Sequence, residues 1–115
     1  ERRRIAALYN ELITQPAIRK PFEADWAESC YHLYVIRSTK RDALQAYLAA
    51  QGIGTLIHYP IPVHLQPAYA FLPYEKGNFP VTEQAANDVL SLPLYPGIAD
   101  ETVEEVCRAL NAWNG

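Results

Sequence analysis

Two imidazoles and two phenols, His58, His64, Tyr59 and Tyr69, fall within one short run that also holds Pro60, Pro62 and Pro67. Proline fixes φ and removes a backbone donor, so this run is neither a ladder strand nor a helix but a rigid loop that displays its polar rings. An imidazole can give or take a hydrogen bond or ligate a metal, a phenol can stack on a flat ring, and Gln66 both donates and accepts. His58 and His64 could share a metal only with a third ligand delivered by folding, and the carboxylates and cysteines stand elsewhere, so no metal is expected. Tyr59 and Tyr69 suit stacking on a base or a sugar ring, or packing that holds the prolines down. There is no nucleophile elbow with a Ser, His and Asp set, no glycine-rich phosphate loop and no paired carboxylates. By its chemistry the loop is a wall for a ligand and not a complete catalytic centre.

The elements that must position this wall are legible from periodicity. Ile5, Leu8, Tyr9, Leu12 and Ile13 make one face of a leading helix over residues 1–14, and Pro16 and Pro21 open a connector over 15–30 in which Trp26 reads as a packing anchor. The remainder, 31–115, reads as an α/β core. Tyr31 to Arg37 is β-branched and aromatic and predicts a central strand, with His32, Tyr34 and Ile36 on one face and Leu33, Val35 and Arg37 on the other. His32 then reads as a structural histidine in apolar surroundings. Arg37, at the strand's end, is either an anion contact or half of an ion pair.

Thr39 and Asp42 approximate a capping box for a helix carrying Leu44, Tyr47 and Leu48, and Gly52 sits where a left-handed C′ residue belongs. Ile53 to Ile57 predicts a second strand, with Gly54 marking a close backbone approach. Past the loop, Phe71 to Pro80 is turn-rich with Tyr74 and Phe79 as aromatic anchors. Thr82 suits the cap of a helix carrying Ala85, Ala86, Val89 and Leu90. Pro93 and Pro96 confine Leu92 to Tyr95 to an edge strand, and Asp100 suits the cap of a last helix with Val103, Val106, Cys107 and Leu110 inside and Trp113 packed at its end. The order predicts a two-layer α/β (α+β) domain: a small, mostly antiparallel sheet with helices on one face.

At 115 residues and half hydrophobic, the chain is one globular domain able to bury a real core. Its net charge of −3 leaves no basic face for nucleic acid. No run approaches the ~20 apolar residues of a membrane span. Methionine is absent and the chain opens on Glu1, which leads us to expect a piece of a longer protein. Cys30 and Cys107 lie in no metal or redox spacing and read as two reduced thiols of a cytoplasmic protein, Cys107 on a helix face.

One ordered set of residues runs through nearly the whole chain: Tyr31-His32-Leu33-Tyr34-Val35-Ile36-Arg37, Arg41-Asp42, Gly52-Ile53-Gly54-Thr55, His58-Tyr59-Pro60 with His64, Gln66, Pro67 and Tyr69, then Phe79-Pro80-Val81 with Glu83, and Leu90-Ser91-Leu92-Pro93-Leu94-Tyr95-Pro96. This set resembles the C-terminal part of the DegT-like nucleotide-sugar aminotransferases, pyridoxal-phosphate enzymes of the aspartate aminotransferase fold (fold type I). The resemblance implies transfer of an amino group, usually from glutamate, to a keto sugar carried on dTDP or UDP, with the cofactor held mainly by a large N-terminal domain in a homodimer. It implies substrate-side positions for His58 and Tyr59, a less defined one for His64, and an anion contact for Arg37. The His58-Tyr59-Pro60 form with Pro62 suggests amination at C3. Lys20, Lys40 and Lys76 match no cofactor-bearing lysine, so no residue of this chain is assigned a catalytic or cofactor-binding role, and the chain alone is expected to be inactive. The competing expectation is a non-catalytic small-ligand-binding or interaction module with no catalytic parent.

Overall fold

The computed structural model describes residues 1–115. Its elements follow as α1 (Arg2–Leu12), β1 (Tyr34–Arg37), α2 (Arg41–Ala50), α3 (Pro80–Asp88), β2 (Val89–Leu92) and α4 (Asp100–Asn111), with two 3₁₀ turns, Val63–Leu65 and Pro67–Tyr69, in the long α2–α3 connection. The α/β expectation holds, as a small antiparallel sheet packed with helices.

The apolar stripe of α1 turns Ile5, Ala6 and Tyr9 inward against α4, which contributes Val103, Val106, Cys107 and Leu110. Tyr9 stacks on Tyr34 of β1 with ring centroids 4.8 Å apart. Each phenol is buried with its hydroxyl satisfied: Tyr9 donates to the Pro93 carbonyl at 2.8 Å and Tyr34 to Asn10 Oδ1 at 2.7 Å. Burial pushes both hydroxyls well above the usual phenol range and lifts the Cys107 thiol to about 11, Glu104 adding to the last. Asn111 joins the two helices by their ends. Its Oδ1 accepts from the Thr14 and Gln15 amides and its Nδ2 donates to the Leu12 carbonyl.

In the sheet, Tyr34 pairs with Leu92, Val35 with Ser91, Ile36 with Leu90 and Arg37 with Val89. Tyr34, Ile36, Leu90 and Leu92 therefore share the core face, and Val35, Arg37, Val89 and Ser91 the opposite one. Single bridges extend both edges, Arg19 to Arg37 and Leu56 to Ser91. β1 is thus flanked on both sides, which agrees with a central strand, although it begins at Tyr34. His32 precedes it and is exposed, contrary to the apolar setting expected for it.

α2 ends in a Schellman arrangement, the Gly52 amide donating to Ala49 and the Ile53 amide to Leu48, with Gly52 at φ +78°, where a side chain is strained. Several local expectations fail for identifiable reasons. Ile53 to Ile57 forms no strand, because only Leu56 finds a ladder partner, and Gly54 faces open space with no close approach. Val89 and Leu90 leave the helix for β2. Their β-branched and aliphatic side chains fit both periods, and the pairing with Arg37 and Ile36 decides. Pro93, which has no N–H, ends β2 at Leu92, so the edge strand expected over Leu92 to Tyr95 does not form. Thr39, Thr82 and Asp100 cap nothing. α3 starts earlier, with Pro80 in its first turn, and Asp100 accepts from Arg4 at 2.7 Å. Trp26 is 89 % exposed and anchors no packing. Trp113 does pack, its ring 4.9 Å from that of Tyr47.

Candidate functional site

The proline-rich loop leaves the Leu56–Ser91 bridge and crosses the sheet's non-core face. Ser91, on that face, is buried, and His58 Nδ1 lies 2.9 Å from its hydroxyl. One hydrogen bond thus fixes the imidazole at the strand it overlies. The Tyr59 ring stands edge-on to His58, centroids 5.4 Å apart, and is 71 % exposed. His58, Tyr59, Pro62 and Val63 form one wall of an open groove of about 200 Å³; Ala85 of α3 and Val89 of β2 close the other side. His58 also borders a second cleft, lined by Thr55, Ser91 and Pro93. An exposed phenol beside a hydrogen-bonded imidazole, over an apolar floor, can pack on a ring and bond one oxygen of a ligand.

His64 is placed differently. It is buried, packed edge-on against Phe79 with centroids 4.8 Å apart, and its Nε2 lies 3.0 Å from Glu83 Oε1. Glu83 also accepts from the Gly77 amide at 2.8 and 3.0 Å and from the Phe79 amide at 3.3 Å. Burial alone would raise this carboxyl, but the Gly77 amide, the His64 ring and the Phe79 amide outweigh it and hold it below the usual carboxylate range. Phe79 in turn packs against Tyr74 at 5.0 Å, so these two aromatics anchor the turn as expected. Tyr69 and Gln66 do not line the His58 groove.

Arg37 belongs to another groove. Its Nη2 lies 3.3 Å from Asp88 Oδ2, and Pro16, Arg19, Thr39 and Gln84 surround the pair. The structure therefore brings His58 and Tyr59 together, buries His64 against Glu83 and Phe79, and places Arg37 in a separate groove. Ser91 and Glu83 belong to the ordered set of the resemblance, but the sequence reading gives neither a site role. A lone serine within the apolar run Val89 to Leu92 is a legible sign of a buried hydroxyl that needs a partner, whereas Glu83 carries no such mark. No three His, Cys, Asp or Glu side chains are grouped to hold a metal.

Pyridoxal phosphate needs a lysine, and none lines either cleft beside His58. Lys20 is tied to the Asn10 and Ile13 carbonyls at 2.7 and 3.0 Å, and Lys40 and Lys76 are exposed elsewhere. The residues present do not fit that cofactor as its anchor.

Comparison with known proteins supplies the wider setting. The chain is 46 % identical over 112 residues to dTDP-3-amino-3,6-dideoxy-alpha-D-galactopyranose transaminase of Aneurinibacillus thermoaerophilus, covering 97 % of this chain and 30 % of that protein. It is 48 % identical over 102 residues to the erythromycin biosynthesis sensory transduction protein EryC1 of Saccharopolyspora erythraea, covering 89 % of this chain and 28 % of the relative. Among solved structures it superposes on S. venezuelae DesV, determined in complex with a ketimine intermediate, with a TM-score of 0.94 at 39 % identity over 97 % of this chain and 30 % of that one. The chain thus spans about 30 % of the length of these relatives. Residues 1–111 match the family description as one continuous stretch, and the chain belongs to the DegT/DnrJ/EryC1/StrS aminotransferase family.

Proposed function

We propose that this chain is the small C-terminal domain of a pyridoxal-phosphate-dependent aminotransferase that moves an amino group, from glutamate, to a keto sugar carried on dTDP or UDP. The carrying observation is the groove in which Ser91 fixes His58 beside the exposed ring of Tyr59. In this reading Tyr59 packs on the sugar face and His58 bonds a sugar or diphosphate oxygen. His64, committed to Glu83, holds the loop that carries them. Relatives whose printed names specify 3-amino sugars on dTDP, in Aneurinibacillus thermoaerophilus and Streptomyces venezuelae, support amination at C3. The cofactor's lysine belongs to a large domain outside this chain, a second subunit completes the site, the enzyme works in the cytoplasm, and the 115 residues alone are inactive.

The test uses the enzyme that carries this chain, assayed with a panel of dTDP- and UDP-keto sugars and glutamate. His58→Ala is expected to lower kcat/KM for the sugar roughly 10- to 100-fold, the worth of a hydrogen bond to a charged oxygen. Unchanged sugar amination in that variant, or amination by the 115-residue chain alone, sinks the reading.

A further inference from the structure

Arg19 and Arg37 are direct cross-strand partners, each backbone amide donating to the other's carbonyl at 2.9 Å. Cross-strand partners project to the same side, and like charges placed there repel. Asp88 is the only carboxylate lining the groove they share, and it is already engaged on both oxygens: Oδ2 lies 3.3 Å from Arg37 Nη2 and Oδ1 accepts from Gln84 Nε2 at 2.7 Å. Arg19 makes no ion pair. Arg37 Nε is buried and has no hydrogen-bond partner. Two arginines therefore share one groove with a single carboxylate, and the more buried of them keeps a donor unused. A buried charged donor without an acceptor is costly, and a guanidinium fork matches an oxyanion. The groove is open, about 490 Å³, and Ser38 and Thr39 also line it.

We infer that this groove is an oxyanion subsite in which Arg19 and Arg37 together bind a phosphate or carboxylate group, the second anion that the pair lacks. It lies on the same sheet face as the His58 groove. Arg37 pairs with Val89, two residues along β2 from the Ser91 that holds His58, a separation of about 7 Å along a strand. The reaction proposed above offers two sources of that chemistry, the diphosphate of the nucleotide sugar and the carboxylates of the amino donor. The subsite itself stands on the groove and not on that reading.

The ¹⁵N-labelled enzyme that carries this chain, titrated at fixed ionic strength with inorganic pyrophosphate, dTDP and glutamate in separate series, tests it through the arginine Nε–H signals. Saturable shifts of Arg19 and Arg37 are expected, with Arg4, which is paired to Glu1 and Asp100, as the internal control. Arg19→Gln, a change at an exposed side chain, is expected to weaken binding at least about fivefold while the amide spectrum of the core stays in place. Binding of pyrophosphate and dTDP at least about tenfold tighter than glutamate identifies the diphosphate as the source, and the reverse order identifies the donor. Shifts that Arg4 shares equally, or binding indifferent to Arg19→Gln, overturn the subsite. Because no amination is measured, this result and that of the His58→Ala assay can fail independently.

Discussion

The α1–β1–α4 side of the molecule and the loop on the opposite sheet face use the same residue types to opposite ends. On the first side Tyr9 and Tyr34 are fully buried, stacked, and satisfied by hydrogen bonds to Pro93 and Asn10. On the second, Tyr59 and Phe71 are 71 % and 80 % exposed, and the chain is held by a few polar contacts, His58 to Ser91 and His64 to Glu83. Burial stabilises the first region; the second is positioned by hydrogen bonds and keeps its apolar rings free for something else to cover. Stability and recognition should therefore separate by region.

Leu48→Ala breaks the comparison on the side where the effect is largest. Leu48, on α2, is fully buried in the same core cluster as Tyr9, Tyr34 and Leu110, so its truncation is expected to cost about 2–5 kcal/mol in urea unfolding. Tyr34→Phe, which leaves Asn10 Oδ1 without its donor, is expected to cost about 1–2 kcal/mol in the same measurement. Tyr59→Ala is expected to move stability by less than about 0.5 kcal/mol while weakening sugar binding in the enzyme that carries the chain. A Tyr59→Ala cost comparable to that of Leu48→Ala would mean that the loop belongs to the core after all.

Acid sharpens the contrast. The folded-state carboxyl of Glu83 lies below its unfolded value, so its contribution is present above the ordinary carboxylate range and is lost as pH falls through the folded value. Hydrogen exchange at the Gly77 and Phe79 amides, corrected for intrinsic rates, should lose protection as pH drops below about 4.5, ahead of the Leu110 amide in α4. Glu83→Gln should remove that pH dependence. The smallest effect is chemical: Cys30 is exposed and should alkylate at neutral pH, whereas Cys107, buried and raised to about 11, should react only when the core opens.

What could be read in advance follows the same division. The stripes of α1, α2 and α4 were legible because a buried face obliges every third or fourth residue to be apolar, and Gly52 because only glycine takes its φ without strain. The caps at Thr39, Thr82 and Asp100 were misread because a polar side chain near a helix start is compatible with several partners, and Arg4 claimed one of them. Val89 and Leu90 were misplaced because aliphatic residues satisfy either period until a ladder partner is known. In the site, the pair His58–Tyr59 was visible as residue types in a rigid loop. The separate surroundings of His64 and Arg37 were not, since Glu83 and Asp88 reach them only through the folding of α3.

The clasp that Asn111 makes on the end of α1 has a consequence for how the chain is made. Its bonds to Leu12, Thr14 and Gln15 span 96 to 99 residues, and Tyr9 reaches Pro93 across 84. A helix of eleven residues is marginal in water without tertiary contacts, so α1 emerges from the ribosome long before the partner that stabilises it. Until α4 has cleared the exit tunnel, the apolar face of α1 has only the early-made Tyr34 of β1 to stack against and lacks its main helical partner. This stretch of the nascent protein is then open to chaperones and proteases until α4 has been made and released.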